Sequence, residues 1–415
     1  MNSLRTPTIL EPARQIPVSA SCDVLVVGGG IAGVAAALAA ARLGVSVCLV
    51  EKTCSLGGLA TLGNVTVWLP LCDGQGRQVS AGLAEELLKL SVADLGRDHQ
   101  AAGFQRIPDC WQVGGDLEQR KHTRYLVRFN PSTYLLALEQ LVVESAVRIL
   151  YDTRVCAVER HAGAITHLIV ENKSGRSAIA CKMVVDASGD ADICFLAGEQ
   201  TESLDSNVLC GWFYHLADGD LQLHTMTQAF SPYANREGAA GPFFRGDVAE
   251  DVTAQVLGSR AMMREKIAAI RLRNPQADAQ LILPPTIPTF RMTRRLVGEY
   301  SLSEKDVHQW FADTVGLTSD WRKPGPVYAV PLRSLAGLVN HNLLAAGRCI
   351  SADTTAWDVT RALPGCAVTG EAAGSAAALG VLRAVDDLRD VPCAALQQQL
   401  CSQGVLLDRE LAQPA

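Results

Sequence analysis

The chain predicts an α/β fold: a Rossmann-like dinucleotide-binding domain carrying a β-meander, with an α+β substrate domain inserted between its two parts. Three observations lead there. A strand, glycine turn, helix, strand and acidic residue follow one another over residues 22–51. Short apolar, turn-bounded segments fill residues 147–186. An apolar strand and a helix of small residues then complete the pattern at 342–380.

Residues 24–27 are a continuous apolar run, as suits a parallel strand buried on both faces. Gly28, Gly30 and Gly33 follow in the G-x-G-x-x-G spacing. Gly28 permits a tight turn, Gly30 lets backbone approach a pyrophosphate, and Gly33 lets the helix lie close on the sheet. The alanine-rich stretch 31–43 reads as a helix ended by Gly44. Its first residues, Ile31 and Ala32, would offer unpaired N–H groups and the positive dipole end to phosphate. Residues 45–50 form the second strand. Glu51, 18 residues beyond Gly33, would accept hydrogen bonds from ribose hydroxyls. A carboxylate there would repel a 2′-phosphate, which argues against NADP. The unit by itself leaves FAD and NAD open.

With 415 residues and 48% hydrophobic composition, the chain is long and apolar enough for two domains. A net charge of −6 argues against nucleic acid as a partner. No apolar run reaches about 18 residues without a charged, polar or glycine interruption, so no membrane span is expected. Residues 1–22 carry Arg5, Pro7, Glu11, Pro12, Arg14 and Pro17 and lack the apolar centre of a signal peptide. A cytoplasmic location is the expectation. The 13 cysteines contain no C-x-x-C pair, which fits reduced, buried thiols and removes iron–sulfur and zinc-ribbon chemistry. The eight histidines show no H-x-x-x-H or H-E-x-x-H spacing, and no metal site is expected.

Four parts are expected: residues 20–200, the first part of the dinucleotide domain; 201–326, a substrate or cap domain; 327–385, the returning part; and 386–415, a C-terminal helical tail. Gly57-Gly58 marks a loop where backbone passes close to a flat ligand. Residues 81–90 and 132–146 read as helices, and the basic cluster Arg120, Lys121, Arg124 and Arg128 as a solvated face. Four segments between 147 and 186 read as an antiparallel meander, with turns at Ala162-Gly163 and 173–175. Within the substrate domain, residues 252–273 read as helical. Residues 342–346 form a strand, 349–363 a loop, and 365–380 a small-residue helix started by Pro364.

At this point the sequence resembles the FAD-dependent oxidoreductases of the glutathione-reductase-like flavoprotein superfamily. The landmarks are DVLVVGGGIAG, EKTCSLGGLAT, DGQGRQV, FNPSTY, VVDASGDAD, RMTRRLVGEY and NLLAAGRCIS…RALPGCAVTGEAAG. The resemblance implies FAD as cofactor. It places Gly28, Gly30 and Gly33 on the pyrophosphate, Glu51 on the adenosine ribose and Lys52 beside the adenine. Gly58, Leu59, Ala60 and Thr61 would line the pyrophosphate and flavin side, and Val155 would meet the adenine through its backbone. Ala187, Ser188 and Gly189 match the family's Ala-Thr-Gly segment, with serine for threonine. Gly347 would approach the ribityl chain. Arg348 stands where many relatives carry an acidic residue. Gly365, Cys366 and Ala367 would present N–H groups to the flavin's pyrimidine edge, where a helix N-terminus favours the negative charge of the reduced ring.

Candidate reactive residues follow from the same placement. Asp358 and Arg361 precede the small-residue helix, Arg291, Arg294 and Arg295 lie in RMTRRLVGEY, and Asp73 and Arg77 lie in DGQGRQV. An arginine can hold a substrate carboxylate bidentately, and an aspartate can act as general base. The competing reading of each is an ion pair closing a domain interface. The leading functional expectation is a dehydrogenase or oxidase that moves hydride from a small organic substrate to non-covalently bound FAD. A flavin monooxygenase or halogenase supplied with external reductant is the alternative, and a non-enzymatic flavin-binding redox sensor a further one. Only one G-x-G-x-x-G is present, which weakens readings that need a second dinucleotide domain. A homo-oligomer is compatible with all of these.

Overall fold

The computed structural model describes residues 8–95, 103–226 and 242–415. Residues 227–241 of the expected substrate domain therefore lie outside the described residues. At the centre, strand Val18–Val27 pairs in parallel with Val47–Val50 on one side and with Gly175–Asp186 on the other. Arg148–Leu150 and Leu343–Ala345 extend the two edges, also in parallel. The pleat sends Val24 and Val26 into the core beneath the helices, and Leu25 and Val27 into the opposite core. Burial on both faces is the reason the run is apolar without alternation. The strand starts at Val18, earlier than the apolar run, because its more exposed first half is held by ladder pairing to residues 178–181.

The meander contains three strands: Arg154–His161, Ala164–Asn172 and the first half of Gly175–Asp186. The expected first segment is not part of it. Arg148–Leu150 pairs in parallel with Val47–Val50, Cys48 opposite Arg148. The chain reaches it from helix Pro131–Glu144, and a helical crossover delivers the next strand parallel to its sheet. Alternation of side chains does not reveal which partner a strand will take.

On the opposite face of the parallel strands lie helices Ile31–Arg42 and Leu363–Leu382. A Cβ on Gly370 would stand 2.2 Å from Ala32 O, and one on Gly374 2.1 Å from Ala36 O. The small residues of the second helix therefore serve a close helix–helix crossing. By length and composition this helix could cross a membrane, yet residues 364–380 are all buried inside the protein. The expected loop before it holds a further helix, Thr354–Thr360, capped by the Asp353 carboxylate accepting the Ala356 N–H at 2.8 Å.

The chain leaves the dinucleotide domain through Thr201–Ser203 and returns through Arg294–Leu296, which pairs with it. Between them, Trp212–Ala217 is flanked by Asp220–Thr225 and Gln280–Leu283. Helix Ala249–Arg273 packs on this small sheet through Met263 and Ile267 against Phe213. The expected boundary at 326 divides a hairpin of Thr314–Ser319 with Val327–Pro331. Val315 and Val330 of that hairpin share the main core with Val368, so the return to the dinucleotide domain precedes 326. The tail folds as helices Cys393–Ser402 and Arg409–Ala412.

Candidate functional site

The glycine turn separates into positions fixed by the chain and one fixed by something else. Gly28 has φ +101°, and a Cβ there would lie 2.4 Å from Ala187 O. A Cβ on Gly33 would lie 1.7 Å from Gly28 O. Around Gly30, by contrast, a Cβ would meet nothing within 4 Å. That open space faces the first turn of helix Ile31–Arg42. Gly30 caps the helix without a side chain, and the first intrahelical bond runs from Val34 N–H to Gly30 O at 2.9 Å. The N–H groups of Ile31, Ala32 and Gly33 thus have no partner within the helix. A glycine that the protein itself does not require, beside free donors, fits a pyrophosphate. Gly57, with φ +96°, brings the turn Gly58–Ala60 alongside, joined by Gly57 N–H to Gly29 O at 2.8 Å.

Glu51 is buried at the end of its strand. One carboxylate oxygen accepts the Gly29 N–H at 2.6 Å, and the other accepts the Thr53 N–H and hydroxyl, each at 2.7 Å. A carboxylate has about four acceptor sites, so one or so is left for ribose. The same side chain therefore braces the glycine turn and faces the ligand space.

These elements enclose a cleft of about 670 Å³ beside a smaller cavity of about 250 Å³. The two share Gly28, Glu51, Lys52, Ser188 and Arg294, among others, which marks one end of the cleft. Val155 lines the smaller cavity. Gly28, Gly30, Ile31, Ala32, Glu51, Lys52, Gly58, Leu59, Ala187, Ser188, Gly189, Arg348 and Cys366 line the larger one. The other expected cofactor residues stand behind the wall and shape it. Gly33 receives the turn, Ala60 and Ala367 are fully buried, and the Thr61 hydroxyl bonds Leu56 O at 2.5 Å. Gly347 gives its N–H to Thr369 Oγ1 at 2.9 Å, and a Cβ on Gly365 would lie 2.3 Å from Thr360 O.

The expected N–H set of the small-residue helix needs correction. The helix begins at Leu363, so Cys366 N–H already bonds Ala362 O at 2.8 Å. Ala367 lies one position deeper. Leu363 and Gly365 are the first-turn residues that carry donors, Pro364 having none. Burial pushes the Cys366 thiol up to about 11, so it is neutral at the cleft wall.

Arg348 is tied to Asp190 at 3.4 Å and donates to Phe290 O at 2.7 Å. Asp190 also faces Lys52 at 3.6 Å. Asp192 is pushed up to about 6 by burial, with the Asp190 charge adding, and it pairs with Arg294 at 2.7 Å. Both aspartates line the cleft and were not assigned from sequence, although they lie in the DASGDAD landmark. Residues 246–249, 252, 253, 287, 288 and 290 also line it. No local sequence pattern points to these, since it is the inserted domain's docking that brings them there.

The candidate reactive residues divide sharply. Arg361 lines the cleft and is hydrogen-bonded to Asp358. Burial lowers its pKa while Asp358 opposes that shift. Asp358 itself does not line the cleft. Its second oxygen accepts from Arg322 at 3.2 Å, and Arg322 is held by Asp320 at 2.7 Å. With both oxygens engaged by guanidiniums, Asp358 positions Arg361 and does not serve as a base. Arg295 is paired across the strand with Glu202 at 2.6 Å and lies over the Trp357 ring, away from the cleft. Its neighbour Arg294 lines the cleft, because adjacent strand residues face opposite ways. Arg77 is held by Asp73 at 2.7 Å and donates to Gln413 O at 2.8 Å, so it fastens the C-terminal tail.

Arg291 is a different case. It is 8% exposed, donates from Nη1 to Thr289 O at 3.2 Å and lies 5.9 Å from the Trp212 ring centroid. No ion pair to a carboxylate is made by it among the described residues. Burial pushes its pKa down to about 10, and the Arg361 and Arg348 charges push the same way. It does not itself line the cleft, although Phe290 beside it does.

A glycine-turn cleft that also carries the C-terminal small-residue helix and a buried guanidinium defines a flavin-dependent oxidoreductase of the dinucleotide-binding class. The family model described as FAD dependent oxidoreductase matches residues 23–207 and 233–400, and the chain belongs to that family and uses FAD. Among curated relatives, it is 40% identical over 102 residues to 4-oxocyclohex-2-ene-1-carboxylate 5-dehydrogenase of Sinomonas cyclohexanicum, covering 24% of this chain and 17% of that one. It is 30% identical over 122 residues to 3-oxosteroid 1-dehydrogenase of Rhodococcus opacus, covering 28% and 23%. The matches thus span less than a quarter of these relatives' lengths. A solved structure of p-nitrophenol 4-monooxygenase from Pseudomonas putida DLL-E4 aligns with a TM-score of 0.48 at 10% identity, covering 92% of this chain and 85% of that one.

Proposed function

We propose that the protein is a dehydrogenase or oxidase in which a small organic substrate is oxidised against bound FAD. The observation that carries this is Arg361: it lines the same cleft as the glycine turn, at the start of the small-residue helix. FAD supplies the acceptor for a hydride, and the substrate gives up a proton as well. The chain holds the ribose through Glu51 and the pyrophosphate through the free N–H groups after Gly30. Ile287, Pro288, Phe290 and Leu363 give the cleft an apolar wall that excludes water, and Arg361 offers a fixed cation beside it. The two dehydrogenase relatives support this reading over the monooxygenase alternative.

Anaerobic mixing of the holoenzyme with amines, hydroxy acids, amino acids and sugars tests it. One class should bleach the flavin's visible absorbance, with recovery on admitting dioxygen for an oxidase, or only with an artificial acceptor for a dehydrogenase. Bleaching by reduced pyridine nucleotide, with no organic donor effective, would point to a monooxygenase instead.

A further inference from the structure

The segment from Thr286 to Arg294, which returns the chain from the inserted domain, is fastened to the dinucleotide domain at both ends. At its start, Thr286 N–H donates to Leu62 O at 2.8 Å. Towards its end, Arg348 donates from Nη1 to Phe290 O at 2.7 Å and to Arg291 O at 3.2 Å. The Thr293 hydroxyl donates to the Asp190 carboxylate at 2.7 Å, and Arg294 Nε donates to Asp190 O at 2.8 Å. Leu62, Asp190 and Arg348 all line the cleft, and so do Ile287, Pro288 and Phe290 of the segment they fasten. The segment therefore runs along the cleft as a strap. Its two ends differ: a single neutral backbone bond holds the first, and charge-assisted bonds, which are stronger, hold the second. The Asp190 carboxylate orients Arg348 by accepting from Nη2 at 3.4 Å. Gly189 has φ +82°, and a Cβ there would stand 2.6 Å from that nitrogen, so the guanidinium lies in this place because residue 189 is glycine.

We infer that Arg348, oriented by Asp190, is the positioning residue that fastens this strap over bound FAD, and that release of the strap controls how fast FAD enters and leaves. The inference requires only that the cleft holds FAD and is independent of which substrate is oxidised. Arg348 acts through Phe290: it bonds the carbonyl of the residue whose neighbours Ile287 and Pro288 share the apolar wall. Pro284, Pro285 and Pro288 fix their own φ angles, which favours movement of the segment as a unit. Thr293 reaches the latch from behind. It is fully buried and is not among the cleft-lining residues, so it bears on Asp190 without touching the cofactor. Closure of a segment over a ligand in this way gates exchange without changing the contacts made to the ligand.

The test is FAD exchange, followed by flavin fluorescence: association with the apoprotein, and dissociation from the holoprotein, in the parent, Arg348→Met, Thr293→Val and Thr293→Ser. Opening the strap is a step shared by entry and exit, so weakening the latch speeds both. Thr293→Val keeps every charge and every cleft-lining residue and removes one hydrogen bond. It should raise the association and dissociation rates alike, by about fivefold, and leave the Kd within about twofold. Thr293→Ser keeps the hydroxyl and should exchange FAD at the parental rates. Arg348→Met removes the charge-assisted bonds and should speed dissociation by about tenfold or more. Faster association is the decisive sign, because loss of a direct contact to FAD speeds exit alone. A parental association rate in Thr293→Val would overturn the inference, and with dissociation faster only in Arg348→Met it would show that Arg348 holds FAD by contact. If Arg348→Met does not fold, the two Thr293 variants decide the question by themselves. The measurement involves no turnover, so failure to find an oxidisable substrate would count against the proposed function alone.

Discussion

The three glycines of the turn should fail in different ways, and the contrast between Gly30→Ala and Gly33→Ala isolates the cofactor's share. Gly30 has φ −67° and ψ 178°, an ordinary extended conformation for alanine, and its Cβ would meet no protein atom. Reduced freedom of the unfolded chain gains about 0.4–1 kcal/mol, offset by a few tenths for a poorer helix cap. The apoprotein should therefore melt within a degree or two of the parent. The added methyl would instead stand where the pyrophosphate passes. Loss of two charge-assisted hydrogen bonds, at about 1.5 kcal/mol each for the low end, gives about 150-fold weaker FAD binding. Gly33→Ala behaves oppositely. Its Cβ would lie 1.7 Å from Gly28 O, a backbone atom inside the tight turn. Overpacking of that kind costs about 1–3 kcal/mol, only partly offset by alanine's helix preference of about 1 kcal/mol. The assay is calorimetric melting of both apoproteins, with FAD titrated into each. Parental FAD affinity in Gly30→Ala would refute the pyrophosphate assignment, and parental apoprotein melting in Gly33→Ala would refute the packing account.

Three further outcomes follow from the same geometry. Glu51→Ala should lower apoprotein stability as well as FAD affinity, because it strands the buried Gly29 N–H, at about 1–3 kcal/mol, and frees the half-buried Thr53 N–H, which water can partly satisfy; an unchanged apoprotein melting temperature would show that Glu51 does not brace the turn. Asp358→Ala should destabilise more than Arg361→Ala, since the first leaves two half-buried guanidiniums without this carboxylate while the second leaves Asp358 still paired with Arg322; equal losses in thermal melts would contradict the shared-carboxylate arrangement. Glu371, inside the small-residue helix, is raised from 4.5 to about 8 by burial. A carboxyl with a raised folded-state pKa contributes stability that is complete below about pH 4.5 and lost as pH rises through about 8. Glu371→Gln should flatten that decline in a series of melts from mildly acidic to alkaline pH, and a parallel decline in parent and variant would remove Glu371 as its cause.

Local chemistry determined a good deal here. The glycine spacing, the apolar run before it and the acid after it sufficed for the dinucleotide unit, because each of those demands is met within about thirty residues of one chain segment. The residues that touch the ligand space through backbone, such as Gly28, Gly30 and Gly58, were legible for the same reason. What sequence could not fix was which partner each segment would choose. Arg148–Leu150 reads as a further meander strand but joins the parallel sheet, since pairing depends on where the preceding helix delivers it. The small-residue helix reads as a surface for a flat ligand, yet Gly370 and Gly374 are spent on the backbone of another helix. Asp358 and Arg295 carry the right functional groups but turn them to Arg322 and Glu202, whose positions come from distant parts of the chain, and Arg77 turns to Asp73, four residues before it, and to the C-terminal tail. Only the tertiary structure decided that Arg361 faces the cleft and that Arg291 is buried without an ion pair to a carboxylate among the described residues. Charge compensation is a property of side chains meeting in space, and it is not written in the order of residues.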